Sequence, residues 1–238
     1  MNHKSGESPD RPPPALIYRH TRLVRITHWI NAISFLFLVP SGVAILIAHP
    51  EFYWGETGYF GDPTVLRLPI EPNVDHTIWG RGMHFFFAWV LVINGLVYLV
   101  SGLLNGHFRR KLLPAGEQLR PRHILHEIRE HLRLRTPKGE AARQYNVLQK
   151  ITYLAVVFLL FPLLLLTGLT MSPAVTAAIP ELFALFDGRQ SARTIHFIVA
   201  SLLLLFLLIH IVQIFLAGVG NEMRSMITGR FCIDPQDP

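Results

Sequence analysis

The chain has 238 residues, of which 50% are hydrophobic and only 16% are charged. This balance excludes an ordinary soluble domain and is typical of a polytopic membrane protein. A formal net charge of +6 would also fit a nucleic-acid-binding protein, but the distribution of the basic residues favours a topology signal instead. The single cysteine, Cys232, excludes an internal disulfide and an iron–sulfur cluster held by four thiolates of this chain.

Four apolar stretches follow a Pro-rich beginning. Residues 1–17 contain the stretch Ser8–Pro14, which predicts a flexible N-terminal lead. The apolar stretches are nearly free of charge, and each reaches the roughly 20 residues that cross a hydrocarbon core of about 30 Å; they run over 26–48, 83–104, 151–171 and 194–218. The predicted fold class is therefore all-α, an integral membrane four-helix bundle over residues 18–230, with a C-terminal tail at 231–238.

Lysines and arginines predict how the bundle is oriented. Five of them precede the first stretch and eleven lie between Phe108 and Lys150, whereas the other two connections hold only four. Because cytoplasmic connections are enriched in these residues, we expect both termini and the central connection on the cytoplasmic side. Basic residues beside membrane spans usually contact lipid headgroups, so we expect membrane lipid and no nucleic acid as a partner.

Two histidines, His196 and His210, lie fourteen residues apart on the fourth apolar stretch. Fourteen residues at about 100° each return the second imidazole to within about 40° of the first, about 21 Å further along the helix. One helix face therefore presents two nitrogen ligands at two depths in the membrane. Ionisable residues at such depths are costly, so each is expected to have a functional partner.

The predicted topology supplies a partner for each of these histidines. His28 begins the first stretch at the depth of His210, and His84 begins the second stretch at the depth of His196. A lone histidine on a buried helix is more often a structural group, but four histidines in two level-matched pairs argue against that interpretation. Zinc would require four ligands, and neither pair has further Cys, His or carboxylate neighbours at its depth.

Two opposed neutral imidazoles are the ligands that a b-type haem takes in an electron carrier. The chain has no Cys-x-x-Cys-His motif for covalent attachment. We therefore expect two b-type haems, with the metal ligands His84 and His196 for an outer haem and His28 and His210 for an inner haem. Arg81 and Arg193 are placed for the outer propionates, although both would also serve as interfacial anchors.

Glycines give an independent check on this pairing. Gly42 follows His28 by fourteen residues and Gly95 follows His84 by eleven, each close to the face of its own histidine and at the depth of the other pair. The missing side chain would let a haem approach the backbone closely, and Gly102 fits the same pattern. Glycines that merely tighten helix packing are the alternative.

Four segments of the chain resemble one known family. They are RITHWIN at 25–31, GRGMH at 80–84, YNVLQK at 145–150 and TIH at 194–196 with a second histidine fourteen residues on. The chain resembles the bacterial di-haem cytochrome b family, which includes the b-561-type cytochromes and the membrane subunits of formate dehydrogenase, nickel–iron hydrogenase and, closest of these, thiosulfate reductase. The resemblance implies two b haems in a four-helix bundle of the bacterial inner membrane, an electron path across it, and a quinone site near the inner haem.

The same resemblance places the quinone site at the start of the third span, beside His210. The family's asparagine corresponds to Asn146, and Gln149 adds a second hydrogen-bonding amide. Leu148 stands where some relatives carry a small residue, so neither access for the quinone ring nor a backbone contact at that position follows from the resemblance. In the alternative interpretation these amides only cap the helix.

Two connections are longer than a minimal bundle needs. Residues 121–136 of the cytoplasmic connection have apolar residues at helical spacing among basic ones, which predicts an amphipathic helix on the membrane surface. Its three histidines are expected to be solvated rather than metal-bound; they are His123, His126 and His131. The outer connection carries aromatic residues that fit either an interfacial belt or a docking surface; they are Phe52, Tyr53, Trp54, Tyr59, Phe60 and Trp79.

The sequence thus predicts a di-haem membrane subunit that transfers electrons between a periplasmic redox partner and the quinone pool on the cytoplasmic side. The resemblance implies a molybdopterin or iron–sulfur oxidoreductase as that partner. One alternative is a stand-alone membrane oxidase that passes electrons from a small donor such as superoxide to quinone. Another is a haem-free transporter or scaffold, against which the absence of inverted repeats and buried carboxylates counts.

Overall fold

The computed structural model of the protein describes residues 15–58, 62–132 and 146–233. Four helices in this part are long and apolar enough to cross a membrane. They are α1 (Arg22–Ala48), α2 (Thr77–Leu104), a third helix over Val147–Thr170, and α8 (Arg189–Ala217). The prediction of an all-α membrane bundle is confirmed, and each helix begins at least one turn before its apolar stretch.

Polar caps account for the earlier starts of α1 and the third span. The Thr21 side chain accepts a hydrogen bond from the backbone N–H of Val24 at 3.4 Å and so caps α1. At the third span, the Asn146 side chain accepts from the Gln149 N–H at 2.8 Å, and the Gln149 side chain accepts from the Asn146 N–H at 3.2 Å. Caps of this kind extend a helix into the interfacial region, where hydropathy no longer marks it.

The third span is continuous but changes its winding. It consists of α4 (Val147–Ala155), a π-helical turn (Val156–Leu160) and α5 (Phe161–Thr170). Pro162 has no N–H to donate and its ring crowds the carbonyl four residues earlier, so the wider turn directly before it relieves that clash. Val156 packs there with Val199 and Leu203 of α8 in the buried centre of the bundle.

The outer connections are tied to the start of α8. A two-residue ribbon joins β2 (Glu51–Phe52) to β3 (Leu66–Arg67), and two short helices, α6 (Pro173–Ala178) and α7 (Glu181–Leu185), lead to Gly188. Gly188 has φ of 105° and its Cα lies so near Gly55 that a Cβ would stand 2.5 Å from the Gly55 carbonyl oxygen. Only glycine fits there, and the Gly55 carbonyl then accepts from the Gln190 N–H at 3.0 Å.

The aromatic residues of the outer connection do not form one surface. Phe52 and Tyr53 are buried, whereas Trp54 and Trp79 are about half exposed. Tyr59 and Phe60 lie outside the described residues. An interfacial belt or docking surface is therefore restricted, among the described aromatics, to the two tryptophans.

Both ends of the described chain meet at the opposite end of the bundle. The strand β1 (Ala15–Tyr18) pairs antiparallel with β4 (Arg230–Ile233), which follows α9 (Val219–Thr228). Arg19 forms an ion pair with Glu222 at 3.2 Å beside this ribbon. The domain boundaries expected at 17/18 and 230/231 fall inside these two strands. Four-residue strands show too little alternation of polar and apolar residues to be predicted from the sequence.

The central connection contains the amphipathic helix. It begins with a π-helical turn (Phe108–Leu112) and a 3-10 turn (Gly116–Leu119), and α3 then runs over Pro121–Leu132. The predicted residues 133–136 lie outside the described part. His123 lies 3.9 Å from Glu127, and no group of three metal-ligating side chains occurs among the described residues.

Candidate functional site

The structure brings the four histidines together in the two predicted pairs. The ring centroids of His28 on α1 and His210 on α8 are 6.2 Å apart, and those of His84 on α2 and His196 on α8 are 6.4 Å apart. The interplanar angle is 62° in both pairs. The pairs lie at the two ends of α8, with His28/His210 at the end where β1 and β4 meet.

The separation within each pair fits a metal ion between two imidazoles. A metal–imidazole nitrogen bond is about 2 Å long and the ring centroid lies about 1 Å beyond the nitrogen, so two opposed ligands place their centroids about 6 Å apart. If the rings only packed against each other, nothing would require nearly the same centroid separation in both pairs. The donor set of two histidines, with no third ligand among the described residues, fits a haem iron, whose other four ligands come from the porphyrin.

The His84/His196 pair is held from behind by hydroxyl groups. The Nδ1 atom of His84 lies 3.2 Å from Ser41 Oγ on α1, and that of His196 lies 3.0 Å from Thr167 Oγ1 on α5. These contacts turn both Nε2 atoms toward the space between the rings.

The His28/His210 pair is held differently. His28 Nδ1 is buried and has no hydrogen-bond partner within the described part of the chain. The ring of Trp29 packs edge-on against His28 at 5.5 Å, and the ring of Phe206 stacks on His210 at 6.0 Å. Aromatic packing therefore contributes to the orientation of both ligands.

Comparison with known proteins agrees with this geometry. The family model for prokaryotic cytochrome b561 matches residues 19–229. The chain belongs to the prokaryotic cytochrome b561 family. It is also 29% identical over 211 residues to the putative protein-methionine-sulfoxide reductase subunit YedZ1 of Azospira oryzae, a match that covers 88% of this chain and 96% of the relative. The protein is accordingly a multi-pass membrane protein that binds b-type haem and transfers electrons.

The predicted glycines of this cytochrome differ in what surrounds them. A Cβ on Gly42 would stand 3.5 Å from Cε1 of His84, so Gly42 lies beside that ring. A Cβ on Gly95 would meet nothing within 4 Å; that either glycine makes room for a haem stays a prediction. The interpretation of Gly102 is wrong, because a Cβ on it would collide with the Phe108 ring at 2.5 Å; its glycine makes room for that ring.

The two predicted arginines also differ. Arg81 is exposed at the start of α2. Arg193 is half-buried, donates to the His49 carbonyl, and places its guanidinium 5.0 Å from the centre of the Phe52 ring. Arg193 thus has protein partners near the end of α1, whereas Arg81 is exposed, as expected of a cation at the membrane interface.

The predicted quinone amides form the capping box of α4 described above. Capping uses both side-chain oxygens, but Asn146 Nδ2 is buried and has no hydrogen-bond partner within the described residues. The ring of Tyr153, two turns further on, contacts Phe206 at 6.3 Å, and Phe206 stacks on His210. These contacts place the start of α4 at the His210 end of the bundle.

Sequence reasoning missed several residues of the site. Ser41, Thr167 and Gly168 surround the His84/His196 pair, and a Cβ on Gly168 would stand 3.5 Å from Cε1 of His196, as Gly42 does for His84. The repeated hydroxyl-glycine dipeptide near the end of the first and third spans was the available signal. Asn94 was also missed; its buried amide donates to the Thr27 carbonyl at 2.8 Å and to Asn31 Oδ1 at 2.6 Å, which fixes α2 against α1 one turn from His28.

Two further histidines lie near the His28/His210 end, outside the spans. Burial, together with the positive charge of Arg19, lowers the pKa of His20 to about 4. Burial and the cation of Lys111 lower the pKa of His107 below its ordinary value. Both imidazoles are therefore neutral at neutral pH and available as hydrogen-bonding groups.

Proposed function

We propose that the chain binds two b-type haems, one between His84 and His196 and one between His28 and His210, and carries electrons between them across the bacterial inner membrane. The observation that supports this proposal is the ring separation of 6.2 Å in one pair and 6.4 Å in the other. The distribution of lysines and arginines supports cytoplasmic termini, which puts the His28/His210 pair on the inner side.

A haem held by two imidazoles supplies one-electron transfer without an open position for oxygen chemistry. The chain's own contribution is to hold the ligands in fixed directions, through Ser41 and Thr167 on one side and aromatic packing on the other. The spans also exclude water from the path between the two pairs. A haem with two fixed protein ligands suits electron transfer better than the turnover of a diffusible substrate at the metal.

For the partner, we propose a periplasmic oxidoreductase with a molybdopterin or iron–sulfur centre. The name of the Azospira oryzae relative describes it as a putative subunit of a protein-methionine-sulfoxide reductase. A reductase of that type consumes electrons, so the proposed flow runs from quinol on the cytoplasmic side to the His84/His196 pair and outward. The stand-alone oxidase of a small donor would instead turn over as the purified single chain.

Asn146 is the proposed hydrogen-bond donor to the quinone. Its Nδ2 is buried at the His210 end without a partner among the described residues, while its oxygen is used by the helix cap. Asn146→Asp preserves the capping acceptor and removes the amide donor, whereas Asn146→Ala removes both. If quinone binds there, both variants slow haem reduction by a quinol analogue; if Asn146 only caps α4, the Asp variant matches the wild type.

The haem assignment is tested by stoichiometry. We expect two haems per purified chain by pyridine haemochromogen assay. His84→Ala and His28→Ala are each expected to lose one haem and to leave the other with a low-spin reduced-minus-oxidised spectrum. His123→Ala on α3 is the matched control and should retain two. One haem per wild-type chain, or two in both pair variants, would contradict the proposal.

A further inference from the structure

Ser41 and Thr167 occupy equivalent positions behind the two rings of the His84/His196 pair. Both side chains are fully buried, both precede a glycine, and their oxygens lie 3.2 Å and 3.0 Å from the Nδ1 atoms of His84 and His196. The two contacts come from different helices, α1 and α5, so one local constellation occurs twice around one site.

The hydroxyl hydrogens in this constellation have carbonyl acceptors on their own helices. Ser41 donates its only hydroxyl hydrogen to the Phe37 carbonyl at 2.7 Å, and Thr167 donates its own to the Leu163 carbonyl at 2.7 Å. Each hydroxyl oxygen is therefore left with lone pairs, which accept from a histidine N–H. A histidine that binds a metal through Nε2 carries its proton on Nδ1, and in that tautomer each hydroxyl accepts from Nδ1–H while both Nε2 lone pairs are directed into the gap between the rings.

An acceptor on Nδ1–H does more than select the tautomer. It increases the basicity of the imidazole and so stabilises a more positive metal opposite Nε2. His28 has no such acceptor among the described residues. The two sites thus differ in the groups behind their ligands even though their ring separations are nearly equal.

We propose that Ser41 and Thr167 are positioning residues of the outer site, which fix the protonated Nδ1 of both ligands and lower the reduction potential of the haem bound there. This inference rests on the proposed function, because it takes His84 and His196 as haem ligands. It assigns the two hydroxyls a role in tuning that ordinary helix packing would not give them.

Helix packing is the competing explanation, and the chain contains matched controls for it. Ser34 on α1 and Thr170 on α5 are equally buried and also donate to carbonyls of their own helices, Ser34 to Ile30 at 2.8 Å and Thr170 to Leu166 at 2.8 Å. Hydroxyls of this kind are common in membrane helices because they satisfy themselves locally. Neither control residue has a hydrogen bond to a histidine in the described part of the chain.

The experiment is a spectroelectrochemical titration of the purified haem-loaded protein. Ser41→Ala and Thr167→Val are compared with Ser34→Ala and Thr170→Val. We expect the reduced-to-oxidised ratio of one haem to rise on the order of three- to tenfold at a given potential in each test variant, tenfold being 59 mV for one electron. The other haem and both controls should keep wild-type potentials. Ser41→Thr and Thr167→Ser, which retain a hydroxyl, should restore the wild-type value.

The outcomes separate this inference from the proposed function. Loss of one haem in Thr167→Val, with both retained in Thr170→Val, would support the positioning role as a shifted potential does. Test variants that match their controls in both haem content and potential would overturn it, even with two haems per chain. A wild type with one haem, or pair variants without haem loss, would instead contradict the proposed function itself.

Discussion

Gly80 on α2 lies close against α1, and replacing it by alanine should disturb the His84/His196 pair. A Cβ on Gly80 would stand 2.9 Å from the Ala44 Cβ and 3.3 Å from the Ser41 carbonyl oxygen. Carbon atoms pack at about 3.5–4.0 Å, so α2 must move from α1 by about 0.6 Å or more. The same displacement would stretch the 3.2 Å contact between Ser41 and His84 to about 3.8 Å, beyond hydrogen-bond range.

Gly82 provides the control for this substitution. It lies on the same helix, and a Cβ on it would meet nothing within 4 Å. Alanine is favoured over glycine in a helix by about 1 kcal/mol, so Gly82→Ala should be neutral or stabilising. At Gly80 the overpacking cost of about 1–3 kcal/mol outweighs that gain. Haem content, outer-haem potential and thermal stability in detergent measure the difference, and a Gly80→Ala protein that matches Gly82→Ala in all three would refute the reasoning.

Three further predictions concern the inner half of the bundle. Burial holds the pKa of His20 near 4 in the folded protein, against an ordinary value of 6.5. The unfolded chain therefore binds a proton between pH 6.5 and pH 4 that the folded chain does not bind. The stability that this residue contributes above pH 6.5 should be lost as the pH falls toward 4. The melting temperature across that pH range should fall less steeply for His20→Gln than for the wild type, and parallel curves for the two proteins would contradict this. Asn94→Leu removes two hydrogen bonds to α1 and should cost about 1 kcal/mol in detergent unfolding, with the exposed Asn105→Ala as a near-neutral control. Gly102→Ala should cost about 1–3 kcal/mol through its collision with Phe108, and a double-mutant cycle with Phe108→Ala should show that most of this cost disappears, whereas additive effects would exclude the collision.

The sequence predicted the four spans because hydropathy and length decide them almost alone. It also predicted which histidines meet, since the alternation of spans assigns each histidine a depth, and α8 carries one member of each pair on one face. The Asn–Gln pair at the start of the third span was interpreted as a quinone site with helix capping as the alternative, and the structure uses its side-chain oxygens in a capping box. Such features depend on one-dimensional spacing and need no knowledge of which helices touch.

Contacts between helices could not be derived in the same way. Gly42, Gly95 and Gly102 all lie at suitable spacing, but Gly102 faces Phe108, whose position depends on a π-helical turn after α2. Ser41 and Thr167 were missed because a hydroxyl that bonds its own helix has the same sequence signature as one that also accepts from a neighbouring histidine. The ribbon between β1 and β4 joins segments more than 200 residues apart, so neither strand carries a local sign of its partner.

The shared use of α8 limits which properties of the proposed relay can change independently. His196 and His210 lie on one continuous helix, so the distance between the two sites is fixed by about 1.5 Å of rise per residue and cannot be altered without breaking that helix. The opposing ligands, in contrast, come from α1 and α2, whose register depends on the Asn94 amide and the close contact at Gly80. Substitution of any of the four histidines should therefore remove a site, whereas substitutions at the α1–α2 contact or behind the rings should shift potentials. Spectra that distinguish haem loss from a shifted potential thus test which residues are ligands and which are positioning residues.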